Sequence, residues 1–195
     1  MTHSRSDYDF AVQAATSLFW RRGYDDTSIE DIVKTSGLNR YSIYNAYGGK
    51  EGIFQAAVRQ YCDVSIEKLR ADCESQDTPP LNALLTTLEE TIEGMHKHAA
   101  GCLVTDIVLS KKEHFPELIT YCSTFLREME QLTARLFEKA DADGTLADDL
   151  TPTQATGLYL TFKFGLDRRS KLGLSQEEMK FQAEAFMDRL RRTPA

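Results

Sequence analysis

No stretch of this chain approaches the ~18 consecutive apolar residues a membrane helix needs. Nor does the N-terminus pair a basic start with an apolar run, as a secretory leader would. These two absences lead us to expect a soluble, cytoplasmic protein. Cysteine is sparse: Cys62, Cys73, Cys102 and Cys122 are far apart with no C-x-x-C pair, the pattern of reduced thiols rather than of a disulfide framework or a zinc site. Proline is confined to five positions, so long helices can run uninterrupted. Catalytic signatures are missing too. There is no G-x-S-x-G, no phosphate-cradling glycine loop, no H-E-x-x-H and no pair of carboxylates placed for acid and base work, so no enzyme, catalytic residue or cofactor is expected. His96 and His98, two apart on a helix, point in different directions and make a poor metal set with Cys102. Asp141-Ala142-Asp143-Gly144 starts like a calcium loop but has Pro152 where the twelfth-position glutamate belongs, and reads as a surface loop.

The chain also lacks net positive charge, standing at −7. The deficit is uneven. Up to Lys50 there are six basic and six acidic residues, whereas beyond it 17 basic face 24 acidic ones. A neutral head thus precedes an acidic body, and such a head still binds nucleic acid if its few cations and helix N-termini face phosphates.

What is present is helical period. Phe10, Ala11, Ala14, Ala15, Leu18 and Phe19 recur at helical spacing after an arm over residues 1–6, and Gly23 marks a stop. Thr27 with Glu30 offers a capping box for a second helix, in which Ile29, Ile32 and Val33 share one face. Gly37 supplies the sharp exit, Leu38 returns to the core, and Asn39 caps a third helix to about Tyr47. That third helix buries mainly Ile43. Asn39, Arg40, Tyr41, Ser42, Tyr44 and Asn45 are left free of packing duties, with the donors, acceptors and flat apolar edges that read bases in a major groove. On composition alone the same face suits any solvated surface helix.

The remaining chain reads as six more helices, nine in all. Glu51 to about Gln76 is long and continuous, with Ile53, Phe54, Ala57, Val58, Tyr61, Val64 and Leu69 along a face. Leu81 to His98 follows Pro79-Pro80, and Cys102 to Leu109 is apolar enough to be interior. Pro116 opens another long helix, Thr151-Pro152 starts the next, and Ser175 with Glu178 caps the last. The fold class expected is all-α, a three-helix head over residues 1–50 and a helical body over 51–195.

The head closely resembles the TetR family of bacterial transcriptional regulators. Thr27, Ser28, Ile29, Ile32, Val33, Ser36, Gly37, Leu38, Tyr44, Tyr47 and Lys50 stand in the register of that family's helix-turn-helix. The resemblance implies that Thr27, Tyr44 and Lys50 hold phosphates while Asn39, Arg40, Tyr41, Ser42 and Asn45 lie at the base-facing helix. Three positions depart from it: Ala46 replaces a frequent His or other ring, Tyr41 a small residue, and Gly49 a capping Ser or Asn. It also implies a homodimer formed by the last two helices, through Leu158, Phe162, Gly165, Leu166, Arg169, Phe186, Met187 and Leu190, on double-stranded operator DNA. A small-molecule effector would sit in the body, where Tyr61, Met95, Cys102, Ile107, Tyr121, Phe125, Met129, Tyr159 and Phe162 mix apolar surface with hydroxyls and sulfurs. Periodicity reads the same nine residues equally as ordinary core. The expected function is therefore a ligand-released repressor. Alternatives are a helical dimeric interaction protein without DNA binding, and an electrophile sensor in which the imidazoles and ammonium of His96, Lys97 and His98 activate Cys102.

Overall fold

The computed structural model describes residues 4–98, 101–110 (side chains to 107) and 114–193. Among them are nine helices: α1 (Arg5–Arg22), α2 (Ile29–Ser36), α3 (Arg40–Tyr47), α4 (Lys50–Glu74), α5 (Pro80–His98), α6 (Leu103–Ser110), α7 (Pro116–Ala142), α8 (Pro152–Lys171) and α9 (Gln176–Leu190). One isolated antiparallel bridge joins Leu146 to Arg191.

Two compact units result, one formed by the chain up to Val64 with Cys102–Cys122, the other by Ser65–Gly101 with the chain from Ser123 onward. The division falls inside α4 rather than at residue 50. Its cause is the apolar face of α4's first turns, where Ile53, Phe54, Ala57 and Val58 are all at most 1% exposed. In the first unit they join Ala11, Ala15, Leu18 and Phe19 of α1, Ile32 of α2, Leu38 and Ile43 of α3 in one core. Phe19 meets Phe54 edge-on at 4.9 Å, and Tyr24 and Phe115 complete an aromatic cluster with Phe54 at 4.8 and 5.2 Å. Burying each such ring stabilises the fold by ~1.5–3 kcal/mol.

The start of α1 differs from the expected arm. Ser4 caps it, accepting from the Asp7 N–H while Asp7 accepts from the Ser4 N–H, so the helix begins at Arg5. Phe10, expected inside, is 59% exposed, and Val12 takes the inward position. On α4, Val64 is likewise exposed and Ile66 is buried. In both places the apolar stripe is wide enough for one residue on its edge to be mistaken for its centre.

In the second unit α5 packs on α8 and α9. Leu81, Leu84, Leu88, Ile92 and Met95 of α5 face Ala155, Tyr159 and Leu166 of α8 and Met179, Ala183, Met187 and Leu190 of α9, all buried with Leu136 and Phe137 of α7. Thr151 and Ser175 cap α8 and α9 as expected, each with a reciprocal box to the residue three ahead, Gln154 or Glu178. Gly101 packs against Asp167 so closely that an added Cβ would lie 2.0 Å from its Oδ1.

Candidate nucleic-acid interface

The helix-turn-helix is built by short-range hydrogen bonds at each corner. Ser28, not Thr27, caps α2: its Oγ accepts from the Asp31 N–H at 3.1 Å, and Asp31 accepts from the Ser28 N–H at 3.0 Å. The Ser28 hydroxyl donating to the Asp31 carboxylate at 2.6 Å, then the Ser28 N–H, and Arg22 3.2 Å away hold the Asp31 carboxyl below its ordinary value of 3.8. Thr27 is fully buried and its hydroxyl donates to the Gly23 carbonyl at 2.7 Å. A phosphate contact through its side chain is therefore not available, which corrects the sequence reading. Gly37, at φ +72°, makes the turn that no Cβ-bearing residue enters comfortably.

Asn39 then caps α3, its Oδ1 accepting from the Ser42 N–H at 2.8 Å. α3 buries Ile43 completely and Ser42 to 7% exposure. Ser42, expected on the free face, is thus a second correction; it is buried next to Ile43. The outward face keeps Asn39, Arg40, Tyr41, Tyr44, Asn45 and Ala46 exposed, Tyr41 at 79%. Arg40 is held by Glu30 of α2 at 3.1 Å, with its guanidinium 6.0 Å from the Tyr44 ring centroid.

Two glycines position this face. Gly49, noted as departing from the family's capping Ser or Asn, sits at φ +117°, and a Cβ there would approach Tyr44 Cε1 to 3.0 Å. The Tyr44 ring lies against this bare backbone. At Gly52 a Cβ would fall 1.6 Å from the Tyr47 carbonyl oxygen, so α3 and α4 meet through a position only glycine fits. Tyr47 itself is half-buried, donates to the Tyr8 carbonyl at 3.2 Å, and burial raises its hydroxyl above the usual tyrosine range. Lys50 donates to the Asp25 carbonyl at 3.4 Å with its ammonium 4.3 Å above the Tyr24 ring. Glu30, Tyr24 and Gly52 went unremarked in the sequence as partners of this face. Only Gly52 carried a signal, a glycine inside a helical run.

The nine effector-site candidates are divided between the units. Tyr61, Cys102, Ile107 and Tyr121 belong to the first, where Tyr61 packs edge-on against Trp20 at 5.0 Å and the Tyr121 hydroxyl donates to Asp63. Met95, Phe125, Met129, Tyr159 and Phe162 belong to the second. Met95, Phe125 and Met129 are buried there. Tyr159 is 1% exposed and donates to the Leu84 carbonyl at 2.9 Å, which satisfies its hydroxyl within the core. An open cleft of about 460 Å³ lies elsewhere, on α9, lined by Gln176, Glu177, Lys180, Phe181 and Glu184.

Of the residues assigned to the subunit contact, Leu158 is 47% exposed, and Phe162 and Phe186, both half-buried, stack with centroids 4.1 Å apart. Gly165 faces open space, and Arg169 donates to Gln182 Oε1 at 2.6 Å. Leu166, Met187 and Leu190 are at most 2% exposed in the single chain. They fill their own core, a third correction.

A family model described as bacterial regulatory proteins, tetR family, matches residues 11–57. Among curated proteins the chain is 25% identical over 160 residues to an uncharacterized HTH-type transcriptional regulator, YezE of Bacillus subtilis, covering 79% of this chain and 80% of YezE. It is 36% identical over 72 residues to the HTH-type transcriptional repressor ComR of Escherichia coli, covering 36% of this chain and 34% of ComR. With the HTH-type transcriptional repressor KstR2 of Rhodococcus jostii the identity is 29% over 143 residues, 71% of this chain and 67% of KstR2. Among solved structures, a cysteine mutant of the TetR family transcriptional regulator CifR, complexed with 26-bp double-strand operator DNA, superposes with TM-score 0.75 at 24% identity, covering 97% of this chain and 98% of that one. The regulatory protein TetR from Rhodobacter sphaeroides gives TM-score 0.79 at 21% identity, covering 94% and 98%. At those identities the structural likeness speaks to the fold.

Proposed function

We propose that this chain, whose head matches the TetR family of bacterial regulatory proteins over residues 11–57, is a ligand-responsive, DNA-binding transcriptional regulator, a repressor that binds a palindromic operator as a homodimer. That family and the relatives are transcriptional regulators rather than enzymes. The observation that carries the reading is the outward face of α3. One side of that helix is anchored by Ile43 in a helix-turn-helix, while Arg40, Tyr41, Tyr44 and Asn45 stand exposed on the other. In this role Arg40, Tyr41 and Asn45 meet base edges, Asn39 opens the helix toward the groove, and Tyr44 and Lys50 hold the phosphate backbone. Ser28, exposed at the start of α2, takes the place first given to Thr27.

Two heads related by a twofold axis meet half-sites about 34–36 Å apart or a multiple of that. The apolar surface left on α8 and α9, with Leu158, Phe162, Gly165 and Phe186, supports pairing with a second copy, and Arg169 would sit at its rim. Residues 1–50 serve as the DNA-binding segment and 51–195 as the ligand and dimer segment, although the first compact unit extends past residue 50 into α4. A small molecule releases DNA if it binds the two head spacings unequally, and a coupling of about 1–3 kcal/mol is enough for useful switching. Its site draws on the nine candidate residues of the body. No helix among the described residues is long and apolar enough to cross a membrane; a partner of chromosomal DNA places the protein in the cytoplasm.

One observation favours a second reading, an interaction protein without DNA binding. The head is electrically neutral and has Ala46 exposed where the family often carries a ring. Selection from a random duplex pool decides between them, with Tyr44→Ala run in parallel. Recovery of a palindrome by the wild type and not by the variant is the expected result. Failure of the wild type at low salt, where phosphate contacts are strongest, would sink the DNA-binding reading for the unliganded protein.

A further inference from the structure

Tyr24 stands in the turn between α1 and α2, outside every helix, yet phenylalanines from three separate stretches of the first unit hold its ring. Phe19 of α1 lies nearly parallel to it with centroids 6.3 Å apart, Phe54 of α4 is tilted against it at 4.8 Å, and Phe115, just before α7, meets it edge-on at 5.0 Å. All three are at most 5% exposed. The half-buried Tyr24 ring cannot swing without displacing them. Over this ring stands the Lys50 ammonium, 4.3 Å from the centroid, while it donates to the Asp25 carbonyl at 3.4 Å.

Both of these anchors are uncharged. Arg22 and Arg40 of the same head differ, since the carboxylates of Asp31 and Glu30 meet their guanidinium charges at 3.2 and 3.1 Å. A carbonyl dipole and a ring quadrupole direct a cation without cancelling its charge. Of the three N–H groups of the Lys50 ammonium the carbonyl takes one, and a phosphate oxygen can take another. A lysine left to itself spreads over many rotamers and gives up that freedom on meeting a ligand. One already held gives up less.

We propose that Tyr24 is a positioning residue for the phosphate contact: its ring holds the Lys50 ammonium at the start of α4 ready for a DNA phosphate, and the phenylalanines around it hold the ring. Tyr24 acts through Lys50 rather than on the DNA. The inference rests on the regulator reading.

A double-mutant cycle on the full-length chain tests it, with the palindromic duplex recovered from the random pool as the probe. Tyr24→Leu keeps apolar bulk but removes the π face; it weakens binding about two- to fivefold in the wild-type background and by nothing further in Lys50→Ala. Tyr24→Phe, which keeps the π face, retains wild-type affinity. Equal losses from Tyr24→Leu with and without the Lys50 side chain, as a merely structural role would give, overturn the inference and leave the regulator reading standing. A wild type that retains no duplex sinks that reading and this inference with it. A second measurement needs neither DNA nor a Tyr24 variant. With the lysines carrying carbon-13 dimethyl groups, the Lys50 signal, identified by its absence from Lys50→Arg, is expected upfield of a solvated lysine through the ring current of Tyr24. A Lys50 signal at the solvated position overturns the proposal even if Tyr24→Leu fails to fold.

Discussion

Thr27 and Ser28 show how far single residues can be read. The sequence pattern points to Thr27 with Glu30 as the capping box of α2, whereas the box that forms is one residue on, Ser28 with Asp31. The structure separates them because the Thr27 hydroxyl already has an acceptor in the Gly23 carbonyl, four residues back. Nothing in local spacing reveals that bond, since it depends on how the chain leaves α1. Ser28→Ala should destabilise the protein by ~1 kcal/mol in urea denaturation. The Asp31 carboxyl has a lowered value in the fold, so its stabilisation is complete above 3.8, its ordinary value, and is lost as pH falls through the folded value. Wild type and Asp31→Asn should accordingly differ at neutral pH and converge in stability as the pH falls below 3.8 and on through the lowered folded value. Stability curves that stay parallel through that range would contradict the assignment.

At the scale of elements the sequence was most informative. Helix starts at Asn39, Pro116, Thr151 and Ser175, and the exit at Gly37, appear where cap chemistry and glycine placed them. What a stripe packs against is less legible, because a 3.6-residue period identifies an apolar side and not its partner. Leu166, Met187 and Leu190 share a period with Leu158 and Phe162, yet the first three fill the chain's own core. Leu158 is the sharper probe of assembly, being half exposed already. Leu158→Glu should leave far-UV circular dichroism unchanged and shift the protein from dimer to monomer in sedimentation velocity. A dimer of unaltered affinity would remove this surface from the proposed contact.

For the whole molecule, contacts distant in sequence were invisible beforehand. Phe115 meets Tyr24 and Phe54 through folding alone; no motif links such positions. Charge distribution, by contrast, was legible from the start and has a measurable consequence. A neutral head with few cations makes few ionic phosphate contacts, so operator affinity should decline gently with salt, each contact contributing about 0.9 to the slope of log K against log salt. Lys50→Ala should reduce that slope by about one contact per head without altering the selected sequence. An unchanged slope would mean that Lys50 does not meet phosphate.

The chain contains a single tryptophan, Trp20, seated on α1 against Tyr61 of α4. Intrinsic fluorescence excited at the indole is therefore a local gauge, whereas far-UV ellipticity sums every helix in both units. If the two units melt at different temperatures the two signals will part, and the gap between them will time the loss of the α1–α4 junction relative to the rest. The protein carries its own spectroscopic label at the place where the first unit closes on α4.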